Sequence, residues 1–317
     1  MYDLNKFHPI QMDNLIRLGR DWDGGYVISK DQIQKTEILL SFGINDDWSF
    51  EIDFEREKDI KIIAFDYSVS WKSGIEKIRD SIGHALGGLL ILKRSWIINS
   101  WRQIKSVIQN RRNIQAYFTQ KHGKYFVPKY LNDYNDNKNI TFDNIFKNIL
   151  TIKDLSVFIK MDIEGMEYKT LSYLSPYFDK INGMAIEFHN LDKIHDLHDF
   201  EKITQLLLNY FEVIHIHANT GGGAIINTLL PKTPEITFIH KGMISKNAVK
   251  STVKYPINGL DFPNDKGSDD FILPYNYTDD INKIVLPYTP PFGEGHKGQK
   301  GSEQLEPYTT GSSPVIG

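Results

Sequence analysis

The sequence predicts an α/β fold on a mostly parallel sheet, with an antiparallel strand pair closing its C-terminal end and helices on both faces. Three observations carry this. Four apolar, β-rich runs recur at wide intervals, each ending at a glycine or a polar residue. The stretches between them are long enough for crossover helices, and two further runs nearer the C-terminus are joined too closely for another crossover.

In chain order, "TEILLSF" (36–42) ends at Gly43, and "IKIIAF" (60–65) ends at Asp66. A basic insertion of about 74–130 follows, whose residues 74–112 read as helical and as a cap over a site. "SVFIKM" (156–161) ends at Asp162 and "GMAIEF" (183–188) at His189. After a helical stretch around "DLHDFEKITQLLLNYF", the runs "EVIHIHAN" (212–219) and "EITFIH" (235–240) form the closing pair. Beyond Pro290 the chain is rich in Gly, Ser, Pro and Gln, so residues 286–317 are expected to be a disordered tail or one of cloning origin. In such sheets ligands bind beyond the carboxyl ends of the strands, which is where the polar stops lie.

Composition narrows the function. The chain has 317 residues and a formal net charge of -3, against a general nucleic-acid binder. Locally the balance reverses: no acid occurs between Asp80 and Asp133, where Lys93, Arg94, Arg102, Lys105, Arg111 and Arg112 fall. That stretch reads either as a solvated basic face or as a contact surface for an anionic membrane or glycan. With no cysteine, thiol chemistry and disulfides are excluded, and the charged N-terminus lacks the apolar centre of a signal peptide; the expected location is the cytoplasm. The run 85–101 is interrupted by Lys93 and Arg94, so it is expected to lie on a membrane rather than cross one.

Two constellations point to chemistry. A strand ending at Gly43 and, about twenty residues later, one ending at Asp66 match the spacing by which Rossmann-like domains place a glycine under a cofactor and a carboxylate on its ribose. "FGINDDWSFE" has a single glycine, which argues against a dinucleotide and suits a cofactor without phosphates, such as S-adenosylmethionine. Asp66 also reads as a turn or helix-capping residue. In the second constellation, Glu187 and His189 lie two apart on one strand side, as do His215 and His217. If the strands are neighbours, Asp162, Glu187, His189 and His217 converge as an oxygen and nitrogen set suited to Mg²⁺ or Mn²⁺, with a histidine able to take a proton. Asp162 and Glu164 also read as acids capping the helix at "YKTLSYL", on a level with catalysis for Glu164 while Asp162 is assigned to chemistry, and His215 reads as structural.

The run "ITFDNIFKNILTIKDLSVFIKMDIEGMEYKTL" (140–171), with Lys160, Asp162, Glu164, Gly165 and Glu167 in a K-x-D-x-E-G-x-E pattern, resembles the FkbM-like family of class I S-adenosylmethionine-dependent methyltransferases. "GRDWDGGYVI", "LSFGINDDWSFE", "AFDYS", "AIEFHN", "HIHANTGGG" and "LDFPND" extend the similarity over most of 17–275. The resemblance implies a class I methyltransferase domain over 1–285 that transfers a methyl group to a hydroxyl of a sugar or glycan. It implies cofactor contacts at Gly43 and Asp66; Asn45, which departs from the family pattern by standing where a second glycine is usual, is read as the third cofactor-binding residue. Catalytic roles fall to His189, Asp162 and Glu164, and a divalent-ion site to Asp162, Glu187, His189 and His217. The rival readings are a metal-dependent glycosyltransferase using Asp162 and Glu164 as a clamp, and a non-catalytic binding module of the same fold.

Overall fold

The computed structural model describes residues 3–90, 94–119, 123–150, 156–225, 230–265, 267–273 and 275; the expected tail at 286–317 lies outside the described residues. A short hairpin of β1 (Leu15–Leu18) and β2 (Tyr26–Ser29) leads into α1 (Lys30–Lys35). Ser29 starts α1 with a capping box, accepting from the helix backbone while Gln32 reaches back to the Ser29 N–H. Then come β3 (Ile38–Phe42), α2 (Ser49–Glu57), β4 (Lys61–Phe65), α3 (Trp71–Leu90), α4 (Arg94–Tyr117) and β5 (Lys124–Val127). A two-strand pair, β6 (Tyr130–Leu131) and β7 (Asn139–Ile140), precedes α5 (Phe142–Asn144). The second half runs β8 (Val157–Met161), α6 (Glu167–Leu171), β9 (Ile181–Glu187), α7 (Ile194–Tyr210), β10 (Phe211–Ala218) and β11 (Pro234–His240).

Seven strands form one sheet in the order β10-β11-β9-β8-β3-β4-β5. Parallel pairing joins β8 to β9, β3 to β8, β3 to β4 and β4 to β5, while β11 pairs antiparallel with both β9 and β10. The closing pair is antiparallel as expected and stands at one edge of the sheet, but its two strands come in reversed order. β11 is inserted between β9 and β10 as the reversed strand, so β10 runs with the parallel core.

Strand alternation splits the interior in two. Leu40, Phe42, Ile159 and Met161 enter a core with Phe142, Leu171 and Phe200, on the side of α5 to α7. Leu39 and Phe158 enter a second core with Ile33, Phe50, Phe54, Ile114 and Phe118, on the side of α1, α2 and the end of α4. Buried on both faces, the central strands have no reason to alternate in hydrophobicity, which is why they read as continuous apolar runs.

The helical part of the basic insertion is confined to α3 and α4. Residues 124–127, inside the expected 74–130, instead supply the edge strand of the sheet.

Gly43 sits where β3 and β8 emerge together. Its φ is +76, and a Cβ there would lie 1.6 Å from the Asp162 carbonyl oxygen. The left-handed backbone and the clash together predict that Gly43→Ala destabilises the fold by about 3 kcal/mol. Denaturant unfolding of the variant checks this; an unchanged midpoint would show that the two strand ends are not packed as described.

Candidate functional site at the carboxyl edge of the sheet

Chemistry-bearing residues collect on one face of the sheet, beneath the β1–β2 hairpin. On β8, Val157, Ile159 and Met161 point to the larger core, so Lys160 shares the opposite face with Phe158. Lys160 is buried. Its Nζ donates to the Gly43 carbonyl at 2.8 Å, lies 3.7 Å from Asp162 Oδ2, and stands 5.5 Å from the Tyr26 ring centroid. Burial alone would push its pKa down, but Asp162, Glu51, Glu187 and Asp47 outweigh burial and hold it above the usual lysine value.

After β8 the chain turns through Glu164 at φ +57 and Gly165 at φ +99. A non-glycine residue in the left-handed region needs support, and Glu167 supplies it. Wholly buried, Glu167 accepts at Oε1 from the N–H groups of Ile163 (3.1 Å) and Gly165 (3.2 Å). The same oxygen lies 3.0 Å from His189 Nδ1. An acceptor at that distance places the proton on Nδ1 and turns Nε2 the other way.

Nε2 of His189 faces three carboxylates: Glu164 Oε2 at 3.6 Å, Asp162 Oδ1 at 3.7 Å and Glu187 Oε1 at 3.7 Å. Ligand atoms sharing one small divalent cation lie roughly 3 Å apart, so this cage is slightly wide and of the right chemistry for one. Asp162, Glu164 and His189 form one possible metal-holding group, and Asp23, Glu187 and Glu235 a second beside it. Glu187 is itself held by Asn219 Nδ2 at 2.7 Å and the Tyr26 hydroxyl at 3.3 Å.

His217 does not join this cage, contrary to the expected ligand set. The inserted β11 puts Glu235 opposite both Glu187 and His217, so His217 stands two strand spacings away, about 10 Å. Both its nitrogens are occupied, Nδ1 by Glu235 at 3.0 Å and Nε2 by Asp270 at 2.9 Å. His215 pairs with Asp261 in the interior, in the structural role expected of it.

A cavity of about 880 Å³ opens between the loops after β3 and β4 and the α3–α4 hairpin. Asn45, Asp46 and Ser68 to Ser70 line it on the sheet side, and Lys77, His84 and Arg111 on the hairpin side. Of the three expected cofactor residues, Asn45 faces this cavity. Gly43 does not; its lack of a side chain answers to the Asp162 carbonyl. Asp66 lies beneath, its two oxygens accepting from the N–H groups of Asn45 (2.8 Å) and Ser68 (2.6 Å), so it ties together the two loops that form the cavity wall.

Lys160 and Glu167 are the functional residues that motif reading undervalued. A lysine in register with buried Phe158 signals a deliberate interior charge, whereas Glu167 reads from sequence as a helix-start acid. Glu235 becomes visible only through strand register, and Asp23 and Asn219 only through the placement of the loops that carry them.

Burial raises the pKa of Asp162, with Glu164 and Glu167 adding to it against the opposing pull of Lys160 and His189; burial, Asp162 and Glu235 raise Glu187 well above its usual range. His189 is pushed down by burial but lifted more by Glu167, Glu187 and Asp162, from 6.5 to about 9. In each case the native state holds protons that the unfolded chain has released, so stability falls as pH rises. The His189 part is whole below pH 6.5 and lost by about 9. Urea unfolding across that window, without added metal, is expected to show this decline and His189→Ala to flatten it. A wild-type midpoint that rises with pH would contradict the described electrostatics.

Residues 102–212 match the methyltransferase FkbM domain. The match begins inside α4, so part of the basic insertion lies within the matched segment. No curated protein matches the chain. Among solved structures, an rRNA methylase from Streptococcus thermophilus is 8% identical over 66% of this chain and 92% of its own, with a TM-score of 0.34. A fibrillarin/Nop5p complex is 10% identical over 65% of this chain and 73% of its own, with a TM-score of 0.31. The expected resemblance is met by a match over one segment: residues 102–212 are similar to the methyltransferase FkbM domain, and they lie in a chain built on a mostly parallel α/β sheet.

Proposed function

We propose that the protein is an S-adenosylmethionine-dependent O-methyltransferase acting on a hydroxyl of a sugar or glycan, with His189 as base and a divalent cation at the acid cage. The observation that supports this reading best is the aim of His189: Nδ1 is fixed by Glu167, and Nε2 is turned into Asp162, Glu164 and Glu187.

An alcohol is a poor nucleophile because its proton leaves reluctantly. A base 2.6–3.2 Å from that proton's oxygen removes the difficulty only if it is neutral when the substrate arrives. With three acids facing it, His189 is held at about 9 and is protonated at neutral pH. Positive charge placed among Asp162, Glu164 and Glu187 lowers that value toward neutrality, which is why the cage and the base belong to one device. Asp162, Glu164 and Glu187 would hold a divalent ion, which would supply Lewis acidity to a sugar hydroxyl. Asn45 and Ser68, which line the cavity, would hold S-adenosylmethionine, which would supply the electrophilic methyl group. The chain's own part is to take the hydroxyl proton on Nε2 and to stabilise the resulting imidazolium through the buried Glu167 carboxylate. Lys160, bonded to the Gly43 carbonyl, holds the two loops in register while this charge moves.

Three measurements test the reading. S-adenosylhomocysteine at about 100 times its Kd is expected to stabilise the protein by about 2.7 kcal/mol, with nucleoside diphosphates giving no shift; the reverse pattern would favour nucleotide-sugar chemistry. His189→Ala is expected to lower kcat by about 10²–10⁴ while cofactor binding persists. Chelation is expected to abolish methyl transfer and Mg²⁺ or Mn²⁺ to restore it; full activity in both chelated protein and His189→Ala would sink the assignment.

A further inference from the structure

The α3–α4 hairpin carries two stripes that neither the cage nor the sheet uses. On α4, Ile98, Trp101, Lys105, Ile108 and Arg112 recur at spacings of three and four, which places them along one side of the helix. On α3, Ile75, Arg79, Ile82 and Leu86 do the same. The apolar members are all solvent-exposed, from 40% at Ile98 to 59% at Trp101.

The contact between the two helices uses other positions. Ser81 donates to Gln103 at 3.0 Å, and Gly74 closes against Val107. The exposed stripes are therefore not left over from the packing of the hairpin. The charge of α4 is one-sided: it contains Arg94, Arg102, Lys105, Arg111 and Arg112 and no acid, whereas on α3 Arg79 pairs with Asp80 at 3.5 Å. Neither Arg102 nor Lys105 has an ion-pair partner among the described residues.

We infer that this hairpin docks the protein on an anionic lipid bilayer. Interleaved Trp, Ile and Lys or Arg suits the headgroup boundary, where apolar side chains enter and cations meet lipid charge. No helix among the described residues is long and apolar enough to cross a membrane, so the hairpin lies on the surface. A second copy of the chain fits less well, because a two-fold contact would set one basic face against another. The hairpin also walls the 880 Å³ cavity, so docking brings that cavity beside the lipid surface. The inference stands apart from the methyl-transfer reading, since its readout is binding to lipid.

The full chain is to be sedimented with vesicles of phosphatidylcholine alone, or with about 30% phosphatidylglycerol. Binding is expected only with the anionic lipid, and at least tenfold weaker at about 300 mM salt than at about 50 mM. Arg102→Gln and Lys105→Gln are each expected to weaken binding about fivefold, and Trp101→Ser to weaken it further, with thermal transitions and homocysteine-cofactor stabilisation kept. Equal sedimentation with both lipids, no sedimentation, or wild-type binding by the Arg102/Lys105 double variant would overturn the inference. So would light scattering that shows the wild type dimeric and these variants monomeric without any lipid effect.

Discussion

A lysine buried in the sheet holds the carboxyl edge together. Lys160 brings one positive charge among Glu51, Asp162 and Glu187, and its bond to the Gly43 carbonyl ties the end of β8 to the end of β3. An isolated buried charge is expensive, and an isolated buried acid cluster more so. Each depends on the other here. The acids hold the lysine charged, and the lysine makes it possible for several carboxylates to face one another in an interior. What it leaves is an excess of negative charge on the side toward His189, and that excess is the property a cation or a proton would answer.

The backbone at this edge is under tension in a consistent way. Asn45, Glu164 and Asn190 are the non-glycine residues with positive φ among the described residues, and they follow β3, β8 and β9 respectively. Such conformations persist when the surroundings over-determine them. Asp66 fixes Asn45 through its N–H, and Glu167 fixes the Glu164 turn through the amides on either side. The result is a row of three adjacent loops, two of which have their shapes set by buried carboxylates. Glu167 serves two ends at once, since the oxygen that shapes the turn also orients His189.

Much of the fold was legible because the parallel strands are buried on both faces and so print as uninterrupted apolar runs with polar stops. The stops were equally legible as a site: Asp162, Glu164, Glu187 and His189 do meet. His217 was misplaced because a two-residue alternation tells which face a side chain takes but not which strand lies beside which. The reversal that inserts β11 between β9 and β10 is a property of long-range pairing, with no mark in the local sequence. Spacing singled out Gly43, and the structure adds a neighbouring carbonyl that leaves no room for a Cβ there. Asp66 was found by position, and its hydrogen bonds to Asn45 and Ser68 fit the turn reading given to it from sequence. Lys160 and Glu167 stood in the quoted motif, but only packing shows that one is a buried counter-charge and the other the partner of His189.

The central claim is that His189 is a base whose availability is set by the charge in the acid cage. Nitrogen-detected NMR of the His189 ring across the neutral to alkaline range measures this directly, with and without Mg²⁺. The account predicts a pKa of about 9 in metal-free protein, and a neutral ring protonated on Nδ1 at neutral pH once Mg²⁺ is added. A pKa near the usual 6.5 in metal-free protein, unmoved by the ion, would contradict it.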